Sequence, residues 1–140
     1  MSVATISPQD ASAAMSEDGS ATYVDVRTVA EFSEGRPKGR AINLPFVFYH
    51  PKTGDEHPNE AFELVARHRL GASSEILIGA DHSDRASRAA AALVAMGYTG
   101  VKLMDGGIDA WREAGLTVTG DNRDGVSYVS LLTPARRAKD

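Results

Sequence analysis

Residues 75–97, EILIGADHSDRASRAAAALVAMG, constrain the fold more than any other part of the chain. They read as a buried strand, a tight polar loop and an alanine-rich helix in direct succession, closed by Gly97. A strand ending at Ile78 or Gly79 opens into a loop whose backbone N–H groups converge. The helix beginning near Asp84 or Arg85 adds its own unpaired amides and the positive end of its dipole. Such a layout forms an anion site, and chemistry placed there commonly uses a cysteine whose thiolate the amides stabilise. The position for that cysteine is Ala80, and the chain contains no cysteine at all.

The rest of the chain repeats the strand-then-helix rhythm. Ser7-Pro8-Gln9-Asp10 has an N-cap, a proline at the first helical position and an acidic first turn, which predicts a short helix to about Met15. Strands are expected over residues 23–26, 41–44, 75–79 and 101–104. Thr28 with Glu31 three residues on is a capping box opening a second short helix. Further helices are predicted over 59–68, with Asn59 as cap, over 86–96, and over 108–114 with Trp111 inward. Residues 46–58 contain two His-Pro steps and a Thr-Gly-Asp turn, and read as a long irregular excursion. The fold class is therefore α/β, an open parallel sheet with helices on both faces, whose ligands bind beyond the carboxyl ends of the strands. Residues 1–120 form the domain and 121–140 a polar C-terminal tail with a frayed end carrying Arg136, Arg137 and Lys139.

Composition narrows the function classes. A net charge of −4 argues against nucleic-acid and membrane-surface partners. The first residues lack a basic and an apolar segment, and no apolar run approaches membrane-spanning length, so a cytoplasmic location is expected. Without cysteine, the chain has no disulfide, no thiolate catalysis and no cysteine-ligated metal.

Three segments, in order, resemble the rhodanese (sulfurtransferase) domain family. The first is Asp25-Val26-Arg27, then Glu31-Phe32, Gly35 and Gly39-Arg40-Ala41-Ile42-Asn43-Leu44-Pro45. The second is the loop over residues 79–87, and the third is Met104-Asp105-Gly106-Gly107-Ile108-Asp109-Ala110-Trp111. In this family the loop runs from a catalytic cysteine to an arginine five positions later, which puts Ala80 at the nucleophile position and Arg85 at the loop's far end. Gly79 matches the small residue that precedes the cysteine. The resemblance implies persulfide chemistry with a small sulfur-containing anion as donor and a thiol or cyanide as acceptor, and no metal or organic cofactor. Arg36 stands where the family often has histidine.

The substrate-binding set implied by the loop is Asp81, His82, Ser83, Asp84 and Arg85. Arg85 offers a planar fork suited to an anion. Asp84 is the expected N-cap of the following helix. Asp81 and Asp84 put two carboxylates beside the anion position and disfavour an oxyanion there. Asp81, His82 and Asp84 invite a metal reading, but no histidine pair has ligand spacing, so no metal is expected. Ser83 and Ser87 are poor nucleophiles because no base lies near them in sequence. Asp25 with Arg27 reads as a structural ion pair, and Phe46, Phe48 and Tyr49 as candidate pocket walls. Two functional readings follow. One is a non-catalytic anion- or persulfide-cradle or regulatory binding module. The other is a thiosulfate or persulfide sulfurtransferase in which alanine has replaced the cysteine at position 80.

Overall fold

The structure is a computed structural model that describes residues 3–16, 19–80 and 84–139. A parallel sheet carries the fold. Its strands are β1 (Ala4–Ile6), β2 (Ala21–Asp25), β4 (Ala41–Asn43), β7 (Glu75–Gly79) and β8 (Gly100–Met104), in the order β1-β8-β7-β2-β4. Every pairing is parallel. All four expected strands share this layer, as the alternating pattern predicts. β1 was not read from the sequence: three residues with an exposed face give no periodic signal, and the strand exists by pairing Ala4, Thr5 and Ile6 with Lys102, Leu103 and Met104.

Helices cover both faces. On one lie α3 (Phe62–Arg69), α4 (Arg85–Ala95) and α6 (Tyr128–Lys139), which enclose Val24, Ile42, Ile76 and Ile78 of the sheet. On the other, α1 (Pro8–Ala14) and α5 (Gly107–Glu113) cover Tyr23, Leu77 and Met104 with Ala11, Met15 and Trp111. The local codes operate as read. Ser7 Oγ accepts the Asp10 amide at 3.1 Å, and α2 (Val29–Glu34) opens with a complete Thr28–Glu31 capping box. Gly106 at φ 75° and Gly107 at φ 59° turn β8 into α5, a left-handed pair that side chains disfavour.

Two expectations are corrected. Residues 46–58 are not irregular: β5 (Val47–Tyr49) and β6 (Glu56–Pro58) form an antiparallel hairpin, with Phe48 opposite His57. Gly54, at φ 75°, turns the loop, and the Gly54 amide donates to the His50 carbonyl at 2.8 Å. Pro58 obscures the strand in the sequence but occupies its last position. The end expected to fray is the helix α6. Tyr128, Leu131 and Ala135 recur at helical spacing and are buried in the core against α3, while Arg136 and Arg137 remain exposed as read. β3 (Arg36–Pro37) and β9 (Val118–Thr119) form a small antiparallel pair at the sheet's rim.

Asn59 departs from a simple cap. Helix α3 starts three residues later, and the buried Asn59 side chain accepts the Ala61 amide at 3.0 Å and the Tyr128 hydroxyl at 3.2 Å. Its Nδ2 donates to the Pro45 carbonyl at 2.8 Å. One amide thus ties the strand exit, α3 and α6 together.

Candidate functional site

β2 and β7 are neighbours in a parallel sheet, so the turns leaving them lie side by side beyond its carboxyl edge. The turn after β2 leads into α2 and brings Glu31. The turn after β7 leads into α4 and brings Arg85. These two side chains meet, with Arg85 Nη1 donating to Glu31 Oε1 at 2.8 Å and Nη2 to Oε2 at 2.9 Å. Glu31 Oε1 also accepts the Thr28 amide and hydroxyl at 3.0 and 3.1 Å. The same carboxylate therefore closes the capping box of α2 and fixes the first residue of α4.

The exit of β2 is held rigidly. Asp25 accepts the Arg27 amide at 3.1 Å and its guanidinium at 2.9 and 2.7 Å, and Arg27 Nη2 reaches the Gly35 carbonyl at 2.8 Å. Asp25 is buried, and this is the structural ion pair read from the sequence. Arg36 is also buried. Its guanidinium donates to the carbonyls of Pro37, Gly39 and Asp121 and lies 5.6 Å from the Phe32 ring centroid. Burial lowers its pKa. Arg36 is thus spent on main-chain carbonyls at the β3–β9 rim.

Ala80 follows β7 directly. Its amide donates to the Met104 carbonyl at 3.0 Å, and its half-buried side chain packs on the core cluster. Gly79 before it has a structural reason to lack a side chain: an added Cβ would lie 2.0 Å from the Tyr23 hydroxyl and 3.3 Å from Gly107 Cα. Asp81, His82 and Ser83 lie outside the described residues, and with them the expected convergence of loop amides. Arg85 is 7% exposed, and both its terminal nitrogens engage Glu31.

Asp84 occupies the N-cap position of α4, but its side chain makes no capping bond. Its backbone, at φ −89° and ψ 0°, is not in the extended region that turns a cap side chain back onto the helix amides. The carboxylate instead approaches Arg88 at 3.5 Å and is 80% exposed. Arg88 also joins Glu56 of the hairpin at 3.1 and 3.2 Å and stacks 5.5 Å from the Phe46 ring centroid.

A cleft of about 680 Å³ opens here, lined by Thr28, Val29, Ala30, Glu31, Phe48, Tyr49 and Arg85. Phe48 and Tyr49 wall it as expected. Phe46 does not, and packs edge-on to Phe62 with centroids 5.1 Å apart. The sequence marks Glu31 as a cap and as part of the Glu31-Phe32 segment of the resemblance, but not as the partner of Arg85, which lies 54 residues away.

Residues 7–114 match the Rhodanese-like domain family. The chain belongs to that family. Among curated relatives of this rhodanese-like chain, thiosulfate sulfurtransferase 16, chloroplastic, of Arabidopsis thaliana is 38% identical over 94 residues, covering 67% of this chain and 76% of that protein. Senescence-associated protein DIN1 of Raphanus sativus is 34% identical over 96 residues, covering 69% of this chain but 51% of its own length. The chain therefore spans about half to three-quarters of these two proteins. A crystal structure of a thiosulfate sulfurtransferase from Pseudomonas aeruginosa superposes with a TM-score of 0.68 at 28% identity, over 84% of this chain and 20% of that one. Helix α6 lies beyond the matched residues.

The electrostatics of Glu31 yield a pH prediction. Burial raises its pKa, but the Arg85 hydrogen bonds and charge and the Thr28 amide outweigh burial and hold it at about 2. A carboxylate depressed in the folded state stabilises fully above its unfolded pKa of about 4.3, and that contribution fades as pH falls towards 2. Glu31→Gln should therefore flatten the fall in urea stability between about pH 4.5 and pH 2. At pH 7 it should cost about 1–2 kcal/mol, less than a fully buried pair, because Glu31 is 38% exposed. Unchanged acid sensitivity would show that the pair does not form in solution.

Proposed function

We infer that this rhodanese-like domain is a non-catalytic binding module that keeps the cleft of a sulfurtransferase without its nucleophile. The observation that carries this reading is Ala80 directly after β7, five positions before the Arg85 that pairs with Glu31, in a chain with no cysteine. A methyl group neither attacks sulfur nor carries a persulfide. The name thiosulfate sulfurtransferase among the relatives makes a small sulfur-containing anion the first ligand to test, and the resemblance to the family adds a thiol acceptor. The test is thiosulfate:cyanide transfer by the purified chain. Thiocyanate should stay at background, and formation above it would overturn the reading.

A second reading, a sulfurtransferase whose cysteine at 80 has been replaced, draws support from the Glu31–Arg85 pair that holds the start of α4, five positions after Ala80. In that enzyme the thiolate at 80 would attack the outer sulfur of thiosulfate and release sulfite, and an acceptor thiolate or cyanide would then take the sulfur. Asp84 opposes an anion under either reading. Asp84→Asn should tighten thiosulfate binding by roughly two- to threefold in calorimetry at low salt. Unchanged affinity would place the anion away from the start of α4.

A further inference from the structure

Residues 48–58 are all exposed, and their strands β5 and β6 form a sheet of their own, apart from the parallel sheet. The arm they make is braced from within. Phe48 pairs with His57 and Tyr49 with Glu56. The His50 amide donates to the Asp55 carbonyl at 2.8 Å, and His50 Nδ1 accepts the Lys52 and Thr53 amides at 3.2 and 3.3 Å. A segment whose main-chain bonds close on themselves can move as one piece without losing them.

The arm is fastened unevenly. At its base Val47 and Asn59 are buried, and Asn59 donates to the carbonyls of Phe46 and Pro45 at 3.0 and 2.8 Å. The Phe46 amide donates to the Val26 carbonyl at 3.1 Å, which fixes that base to the exit of β2. Beyond the base, the ring and polar ties of the arm to the described residues of the body are Phe48 against Tyr128 and Glu56 with Arg88. Both members of the ion pair are 40% exposed, so water and salt weaken it. Arg88 also reaches Asp84 at 3.5 Å, so Glu56 has a competitor for its cation. Phe48 and Tyr49 ride on the arm, whereas Thr28, Val29 and Glu31 across the cleft belong to α2 and its cap, held to the body by buried Phe32.

We propose that the β5–β6 hairpin is a hinged flap on the cleft, pivoting as one piece at Val47 and Asn59, with the Arg88–Glu56 pair as the latch that holds it closed. This rests on the reading of the cleft as the module's binding site and adds how that site opens. Release of the latch moves one wall, Phe48 and Tyr49, away from the other.

The test is a distance measurement by double electron–electron resonance on the full chain, with spin labels on Lys52→Cys in the arm and Ser33→Cys on α2, where no other cysteine competes for label. Two distances are expected, and Glu56→Gln should raise the ratio of the longer to the shorter about two- to fivefold. Salt at about 0.5 M should raise it similarly in the labelled chain that keeps Glu56, and add little once Glu56 is replaced. Hydrogen exchange of the same chains reads the arm itself. The His50 and Gly54 amides, bonded inside the arm, should keep their protection as the longer distance gains population. A single distance, or a ratio indifferent to Glu56→Gln, would overturn the proposal. So would loss of His50 and Gly54 protection in step with the longer distance, because that is local melting and not a hinge. Neither measurement involves a ligand or sulfur transfer, so failure here is distinct from failure of the non-catalytic reading.

Discussion

Ala80→Cys is expected to convert an inert position into a reactive thiol. The new sulfur would stand where β7 ends, five positions before the start of α4, whose dipole favours a thiolate. Its pKa should fall below the free value of about 8.5, although Asp84 moderates the drop. Alkylation by iodoacetamide at pH 7 should then be faster than for a free cysteine, and thiocyanate formed from thiosulfate and cyanide would mark the chain as a disabled sulfurtransferase. The scale of such a gain is large, since removing a hydrolase nucleophile costs about 10⁶ in turnover. A folded variant with an ordinary thiol and no thiocyanate would rule out a disabled sulfurtransferase and leave the binding module alone standing.

Gly79→Ala is expected to destabilise by about 1–3 kcal/mol, at the upper end for overpacking. The added methyl would sit 2.0 Å from the Tyr23 hydroxyl. Tyr23 is 2% exposed within the α1–α5 face of the core and has nowhere to swing. Tyr23→Phe should recover part of the loss but not all, because the ring carbon beneath the hydroxyl remains at 3.1 Å. Urea denaturation of the four chains in a double-mutant cycle checks the coupling. Equal cost of Gly79→Ala in both backgrounds would mean that Gly107 or backbone strain, not Tyr23, excludes the side chain.

What the sequence disclosed was written in short-range codes. Ser7-Pro8, the Thr28–Glu31 box, the Gly106-Gly107 turn and the apolar runs at 75–79 and 101–104 each act within a few residues, and each appears in the structure. What it withheld depends on contacts between distant segments. Nothing near Glu31 announces Arg85, nothing near Ala4 announces β8, and Tyr128 shows its purpose only once Asn59 is beside it. Asp84 illustrates the converse: the residue type suits a cap, but its near-helical backbone aims the side chain at Arg88 instead. The hairpin was hidden because prolines and a glycine turn outweigh three-residue strands in any local reading.

The chain's last segment bears on where the functional unit ends. The match to the family stops at residue 114, yet the Asn43 amide donates to the Val126 carbonyl at 2.9 Å along the open side of β4. Tyr128 then lies 6.2 Å, ring to ring, from Phe48 in the cleft wall. Shortening the protein to the family's borders would expose the edge of the sheet, uncover α3 and leave one wall of the cleft without backing. Phe48 is thus backed by Tyr128, beyond the residues that match the family, so changes near the carboxyl terminus can reshape this wall of the cleft without touching the loop over residues 79–87.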